Sequence, residues 1–142
     1  IAVPGVLVLA LVSQVVIGVE PWFGPRYLVP LAGMVFSGAM NAVSLAGERA
    51  WAEASRGTGF PETRRIALQA ALIPITNSLF AVGLVALPGM MTGQILSGVS
   101  PLIAAKYQIV VMLMLFGVSG LSAAMFLQLE RKQLQQTGRS GG

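Results

Sequence analysis

The side chains that could hold or pass a ligand cluster directly after a proline in the second half of the chain. The segment consists of Pro88, Gly89, Met90, Met91, Thr92, Gly93 and Gln94. A proline inside a helix leaves the carbonyl one turn earlier without its usual donor. That carbonyl, with a hydroxyl, an amide and two thioethers, could line a polar path through a membrane, as broken helices do in transporters. Alternatively, Gly89 and Gly93 allow close helix packing while the methionines fill gaps.

Further polar side chains are scattered along otherwise apolar stretches. They are Ser37, Asn41, Asn77, Gln94 and Gln108. Each of these side chains can either line a transport path or form hydrogen bonds that hold neighbouring helices together. We group Asn77 with the segment after Pro88 as a candidate for the path.

The chain contains no histidine and no cysteine. Histidine is the commonest metal ligand and the commonest general base. Thioethers suit copper(I), whereas iron(II) prefers nitrogen or oxygen donors, so the residues themselves leave the metal ligands unknown. No paired carboxylates, nucleophile–base set or phosphate-binding Gly-x-x-x-x-Gly-Lys-Ser/Thr loop occurs within the apolar runs. We therefore expect neither an enzyme nor a bound cofactor.

A second group of candidate functional residues lies in a strongly charged stretch, residues 48–72. We expect a short amphipathic helix to begin near Pro61, because proline suits the first turn and Glu62 favours the positive end of the helix dipole. Such a helix could dock onto a soluble partner or lie on the lipid surface. The residues that would take part are Glu53, Gly59, Pro61, Glu62, Arg64 and Arg65. Gly59 would be the most sensitive of them, because the chain must change direction sharply there.

Helices that cross a membrane must position these clusters. Of the 142 residues 55% are hydrophobic and 10% are charged, whereas soluble domains carry about 25% charged residues. The apolar runs predict an all-α bundle of about four transmembrane helices, at 1–19, 27–47, 72–98 and 104–128. The third helix would bend or stop near Pro88 and be covered there by other helices. A re-entrant piece after Pro88 is an alternative.

The distribution of positive residues predicts which side of the membrane each end faces. Two of them, Arg26 and Lys106, fall on one side of such a bundle and seven on the other. The seven are Arg49, Arg56, Arg64, Arg65, Arg131, Lys132 and Arg139. The positive-inside rule places this larger group, and the C-terminus, in the cytoplasm. Topology thus explains the net charge of +4, and we expect no nucleic-acid partner.

These predictions divide the chain into two parts. Residues 1–130 would form the transmembrane domain, and residues 131–142 a polar cytoplasmic tail that is disordered from about Gln135. The chain opens inside an apolar run without a methionine, so we expect it to be the later part of a longer protein.

Two sets of motifs resemble those of ABC-transporter permeases. The sequence Glu53-Ala54-Ser55, then Gly59 and Leu72-Ile73-Pro74, is similar to the EAA motif of these permeases, with the proline about two residues later than usual. The stretch Leu87-Pro88-Gly89-Met90-Met91-Thr92-Gly93, followed by Pro101 and Lys106-Tyr107-Gln108-Ile109, resembles the FetB-type permease family. That family is associated with iron export in bacteria and, in plants, with aluminium tolerance. The resemblance covers roughly residues 31–129.

The resemblance implies the C-terminal part of a permease in the bacterial inner membrane. It would export an iron-like metal ion with energy from a separate cytoplasmic ATPase subunit, on which residues 48–72 would dock. A second permease copy would complete a two-fold symmetric unit. Where many members carry an acidic residue and, three positions on, a lysine, this chain has Asn77 and Phe80. The alternatives are a permease for a non-metal substrate such as a nucleotide sugar, and a non-transport membrane scaffold protein.

Overall fold

The computed structural model of the chain describes residues 25–82 and 88–140, which form five α-helices. They are α1 (Pro25–Ser55), α2 (Phe60–Ala81), α3 (Gly89–Leu96), α4 (Pro101–Leu129) and α5 (Arg131–Ser140). Two of them contain apolar stretches long enough to cross a membrane, Val29–Ser55 in α1 and Pro101–Leu129 in α4. The described part of the chain is therefore an all-α bundle built around two long apolar helices.

The long helices α1 and α4 run in the same direction. The first half of α1 shares a buried cluster with residues 111–118 of α4, and the second half shares another with Ala123 and Leu127. Close approach is possible because α1 buries small side chains three or four residues apart. These are Ala39, Ala42, Ala46, Ala50 and Ala54. A Cβ on Gly47 would lie 3.3 Å from the Phe126 ring, so the glycine makes room on α1 for this large side chain of α4.

Helix α2 packs antiparallel against both long helices. Its Ala67 and Ala71 join the alanine cluster of α1, and a Cβ on Gly120 of α4 would lie 3.8 Å from Leu72 Cδ2. Pro74 lies inside α2 without ending it. The helix therefore continues through the position where the sequence predicted a junction between a surface helix and a membrane crossing.

The two short helices lie at opposite ends of the bundle. Helix α3 packs on α4, and its Met90 is half-buried against the cluster that contains the first half of α1. Helix α5 folds back at the other end, where Leu134 is buried with the alanines of α1 and α2. The predicted disorder after Gln135 is wrong as far as Ser140, because Leu134 anchors a helix there.

A sharp turn joins α1 to α2. The N–H groups of Gly57 and Thr58 donate to the carbonyls of Ala54 and Glu53, at 3.0 and 3.2 Å. This is the Schellman pattern of a helix C-terminus, which requires a left-handed residue. Gly57 supplies it with a φ of +76°. We call residues 53–59 the Gly57 turn.

A second turn with the same hydrogen bonds joins α3 to α4 at the other end of the bundle. Gly98 and Val99 donate to the carbonyls of Ile95 and Gln94, each at 3.0 Å. Gly98 has a φ of +90° and takes the left-handed place. We call residues 94–100 the Gly98 turn.

The structure confirms the predicted all-α class and revises the predicted helix bounds. Residues 48–55, expected in a loop, form the end of α1 because Ala50 and Ala54 continue its buried stripe. The crossing predicted at 72–98 is not one continuous helix, since α2 ends at Ala81 and α3 begins at Gly89. The predicted helix at 1–19 lies outside the described residues.

Candidate functional site

Glu53 closes the C-terminal end of α1, and only 6% of its surface is exposed. Its Oε1 forms an ion pair with Arg49 at 2.8 Å and accepts a hydrogen bond from Arg56 at 2.9 Å. Its Oε2 accepts from the Thr58 hydroxyl at 3.3 Å. One carboxylate thus binds side chains that lie before, within and after the point where the chain leaves α1. Glu53 therefore holds the Gly57 turn in its direction and also places a buried negative charge there.

The glycine that this turn needs is Gly57 and not Gly59. Gly59 is the N-cap of α2, with φ −62° and ψ 147°, which is an extended conformation open to any residue. The expectation that Gly59 carries unusual backbone angles is therefore wrong. The sharp change of direction takes place two residues earlier, at the left-handed Gly57.

The first turns of α2 carry the remaining residues of the predicted docking set. The helix begins at Phe60 with Pro61 in its first turn, as the sequence predicted. Arg65 donates to both carboxylate oxygens of Glu62, with Nε 3.0 Å from Oε2, and this interaction holds the pKa of Glu62 below its usual value. The Nε of Arg64 is buried and has no hydrogen-bond partner among the described residues. This end of α2 therefore holds one satisfied ion pair and one buried donor without a partner.

A cavity of 460 Å³ lies between the Gly57 turn and α5. Its lining includes Thr58, Phe60 and Thr63 on one side and Lys132 and Leu134 on the other. The Arg131 guanidinium lies 5.3 Å from the centroid of the Phe60 ring, within the range of a cation–π contact. Helix α5 therefore supports the Gly57 turn from the side and shapes a concave surface beside it.

The segment after Pro88 is a separate feature at the other end of the bundle. Pro88 caps α3, and the Thr92 hydroxyl donates to the Pro88 carbonyl at 3.2 Å. The Oε1 of Gln94 is buried without a partner in the described structure, while Met90 and Met91 are half-buried. The interruption predicted near Pro88 is present, because α3 is a new helix that begins directly after it.

Two expectations about this segment are not met in the described part of the chain. None of the residues of α3 is buried, so the cover predicted for the chain after Pro88 is not seen. Nothing lies within 4 Å of a Cβ built on Gly89 or Gly93, so neither glycine permits a close helix contact here. Asn77 is exposed on α2, which makes no contact with α3 among the described residues. The structure therefore does not bring Asn77 and the Pro88 segment together.

A polar groove that sequence reasoning did not assemble lies between α1, α2 and α4. Its volume is 280 Å³. Four of its twelve lining residues are polar, Ser37 and Asn41 of α1, Ser78 of α2 and Ser119 of α4, and the other eight are apolar residues or glycine. Ser37 and Asn41 are exposed in the described chain, so they do not act as links between its helices. The signal in the sequence is periodic. Polar or small residues recur on one face of α1 at Gly33, Ser37, Asn41, Ser44 and Glu48.

The chain is a helical membrane protein. Its long helices are apolar, a groove with four polar side chains lies between them, and the charged residues are concentrated at one end. The chain belongs to the family described as "Uncharacterised protein family (UPF0014)", which matches residues 1–135. No solved structure matches the chain significantly.

Several curated relatives of this family are similar to the chain. The UPF0014 membrane protein slr1647 of Synechocystis sp. is 41% identical over 123 residues, covering 76% of this chain and 48% of that protein. The "Probable iron export permease protein FetB" of Escherichia coli is 40% identical, covering 70% and 44%. The "Protein ALUMINUM SENSITIVE 3" of Arabidopsis thaliana is 34% identical, covering 71% and 42%. The chain thus spans less than half the length of these relatives.

Proposed function

We propose that the chain is the C-terminal part of an ABC-transporter permease and that the Gly57 turn is where it engages a separate cytoplasmic ATPase. The observation that carries the proposal is the construction of this turn. Two helices meet at a left-handed glycine, a buried carboxylate holds the end of α1 to the turn between them, and the charged first turn of α2 follows at once. A rigid protruding corner of this kind can pass a push from a soluble partner into the helices that carry it.

The charge distribution supports a cytoplasmic location for this end. The Gly57 turn and α5 lie side by side, and with the adjoining ends of α1, α2 and α4 they carry every charged residue of the described chain except Arg26 and Lys106. Lys106, near the start of α4, lies toward the opposite end. By the positive-inside rule the C-terminus faces the cytoplasm and the protein is a multi-pass component of the bacterial plasma membrane.

A metal ion is the substrate that we propose, with export as the direction. The support is the name of the Escherichia coli relative, a probable iron export permease. Asn77 and Phe80, which replace a charged pair of the resembled family, are both exposed on α2. Neither side chain is held in the described bundle, so their neutrality leaves its packing intact. A second copy of the permease would give the two-fold unit that a pair of ATPase subunits requires.

The test is co-purification of the full-length protein from its native membrane with the ATPases encoded beside it. We expect a stable complex of two permeases and two ATPases, whose hydrolysis of ATP rises when ferrous iron is added. A complex that responds instead to a nucleotide sugar would replace the substrate and keep the permease. A protein that retains no ATPase would fit a membrane scaffold, and the permease proposal would then be wrong.

A further inference from the structure

We infer that the polar groove between α1, α2 and α4 is a water-filled part of the transport path and that it receives a cation through neutral oxygen atoms. The inference rests on the proposed permease function and goes beyond it. It moves the path from the predicted segment after Pro88 to a different set of residues. It also assigns the chemical class of solute from the hydrogen bonds that line the groove.

The position of the groove excludes lipid as its filling. Ser37 and Asn41 lie one turn apart on the same face of α1, within the stretch that is apolar enough to cross a membrane. An amide or hydroxyl that faces hydrocarbon loses its hydrogen bonds to water without replacement. Helix α4 shows what a lipid-facing surface looks like, because its exposed side chains include Ile109 and Leu113, at 60% and 63%. The α1 face is different in kind and must meet water or polar groups.

The hydroxyl groups in the groove present acceptors. The Ser78 hydroxyl donates its proton to the Pro74 carbonyl at 2.9 Å, and the Ser119 hydroxyl donates to the Gly38 carbonyl at 3.5 Å. A hydroxyl has a single proton, so each of these two oxygens has only lone pairs left for a third group.

Charge in the groove points the same way. None of the described residues that line it is charged, so no arginine or lysine is available to hold an anion. Oxygen acceptors on neutral groups are the ligands that hard and borderline cations take up when they shed part of their water. The groove offers a partly hydrated cation the oxygen lone pairs of Ser78 and Ser119, whereas an anion would meet only the neutral donors of Ser37 and Asn41 and no positive charge.

Its place between helices also suits a path better than the place of α3. The groove is formed by three helices, so any sliding or tilting of α2 against α1 and α4 changes its width. Helix α2 begins at the Gly57 turn, so a push on that turn reaches one wall of the groove directly. Among the described helices, the backbone of α3 approaches only that of α4, and α3 encloses nothing with α2.

The test uses single cysteines, since the described chain has none of its own. Ser37→Cys, Asn41→Cys and Ser78→Cys sample the groove in the full-length protein, on a background in which any other cysteine is replaced. Leu113→Cys is the lipid-facing control. Ser122→Cys is the matched serine control, because Ser122 lies on α4 and is 1% exposed. Thr92→Cys samples the segment after Pro88.

Each variant is treated in native membranes with a cationic and an anionic methanethiosulfonate of similar size. Each rate is divided by that reagent's rate with free 2-mercaptoethanol. We expect the three groove positions to react at least tenfold faster than Leu113→Cys and Ser122→Cys. At those positions the cationic reagent should be at least fivefold faster than the anionic one.

The outcomes separate the parts of the inference. Groove cysteines that react no faster than the controls show a dry groove and overturn the inference, and fast reaction at Thr92→Cys alone would return the path to the Pro88 segment. Equal rates for the two reagents overturn the cation class. A wet, cation-selective groove in a protein that retains no ATPase refutes the permease function instead, because the labelling needs neither nucleotide nor partner.

Discussion

The Gly57 turn and the Gly98 turn have the same backbone and opposite side-chain chemistry. In each, a left-handed glycine completes a Schellman motif, and a helix with a proline in its first turn follows. Glu53 and Gln94 occupy the same position in the two motifs. Glu53 forms an ion pair with Arg49 and accepts hydrogen bonds from Arg56 and Thr58, whereas Gln94 Oε1 is buried without a partner in the described structure.

This difference teaches which part of a turn is generic. The glycine and the proline make the corner, and they do so equally well at both ends of the bundle. The carboxylate and the arginines around it are an addition that the corner does not need. We therefore propose that the added charges serve orientation in the membrane and contact with a partner.

The largest expected effect concerns the side of the membrane on which each turn lies. Thr58→Cys and Val99→Cys should be labelled by an impermeant thiol reagent from opposite sides, in an all-or-none manner. The reason is that α4 runs parallel to α1, so the two turns lie at opposite ends of the bundle. The measurement is labelling of intact cells compared with inverted vesicles, with Arg139→Cys expected to match Thr58→Cys. Labelling of both turns from one side would show that they do not lie on opposite sides of the membrane.

The next effect separates backbone from function. Gly57→Val and Gly98→Val should each lower the free energy of unfolding by about 1–2 kcal/mol, because a β-branched residue resists the left-handed conformation. Nothing lies within 4 Å of a Cβ at either glycine, so strain and not crowding is the cause. The measurement is thermal unfolding of the detergent-purified protein, together with the amount of ATPase that it retains. We expect ATPase to be lost in Gly57→Val and kept in Gly98→Val.

The control for this pair is Gly59→Val. Gly59 has extended backbone angles and its added Cβ would lie 4.0 Å from the Pro61 ring, so the change should cost less than about 0.5 kcal/mol. A Gly59→Val variant that loses ATPase while Gly57→Val keeps it would restore the original emphasis on Gly59.

A smaller effect is expected from the two matching side chains. Glu53→Ala removes the ion pairs between a buried carboxylate and two arginines, and should lower the free energy of unfolding by about 2 kcal/mol. The value stays modest because both arginines reach water, with 45% and 65% of their side chains exposed. Gln94→Ala breaks no hydrogen bond of Oε1 and should cost less. Chemical denaturation of both variants decides the point, and an equal loss would mean that the charges add nothing to the corner.

The smallest effect is a dependence on pH that only the charged end should show. The bond from Arg65 lowers the pKa of Glu62 from its ordinary value of 4.5. A group whose pKa is lowered on folding stabilises the fold above its unfolded pKa, and this contribution is lost as pH falls through the folded pKa. The melting temperature should therefore fall slightly more on acidification in the native protein than in Glu62→Gln. Identical pH profiles would show that this exposed pair contributes nothing measurable.

The sequence predicted the class of fold well because hydropathy is a local property. The apolar runs predicted α4 almost to its observed bounds and predicted the central part of α1. Residues 48–55 were misplaced because their charges were given more weight than the alanines that continue the stripe of α1. Charges can lie on the outer face of a helix while Ala50 and Ala54 pack on the inner one.

The candidate sites were less predictable because they depend on distant contacts. Ser37 and Asn41 could be recognised as polar residues at membrane depth, but the groove also needs Ser119, which is 82 positions after Ser37. Gly57 and Gly59 look alike in sequence, and only the hydrogen bonds to Glu53 and Ala54 show which of them is left-handed.

The burial of Leu134 has a consequence for biosynthesis. Helix α5 is the last described element to leave the ribosome. By then about 60 to 90 further residues have been synthesised after the alanines of α1 and α2 that it covers. Until α5 has been synthesised, the alanines at the junction of α1 and α2 lack their contact with Leu134. A chain that stops before Leu134 would still contain both long apolar helices but would leave these alanines uncovered, so quality-control proteases could distinguish it from the completed protein.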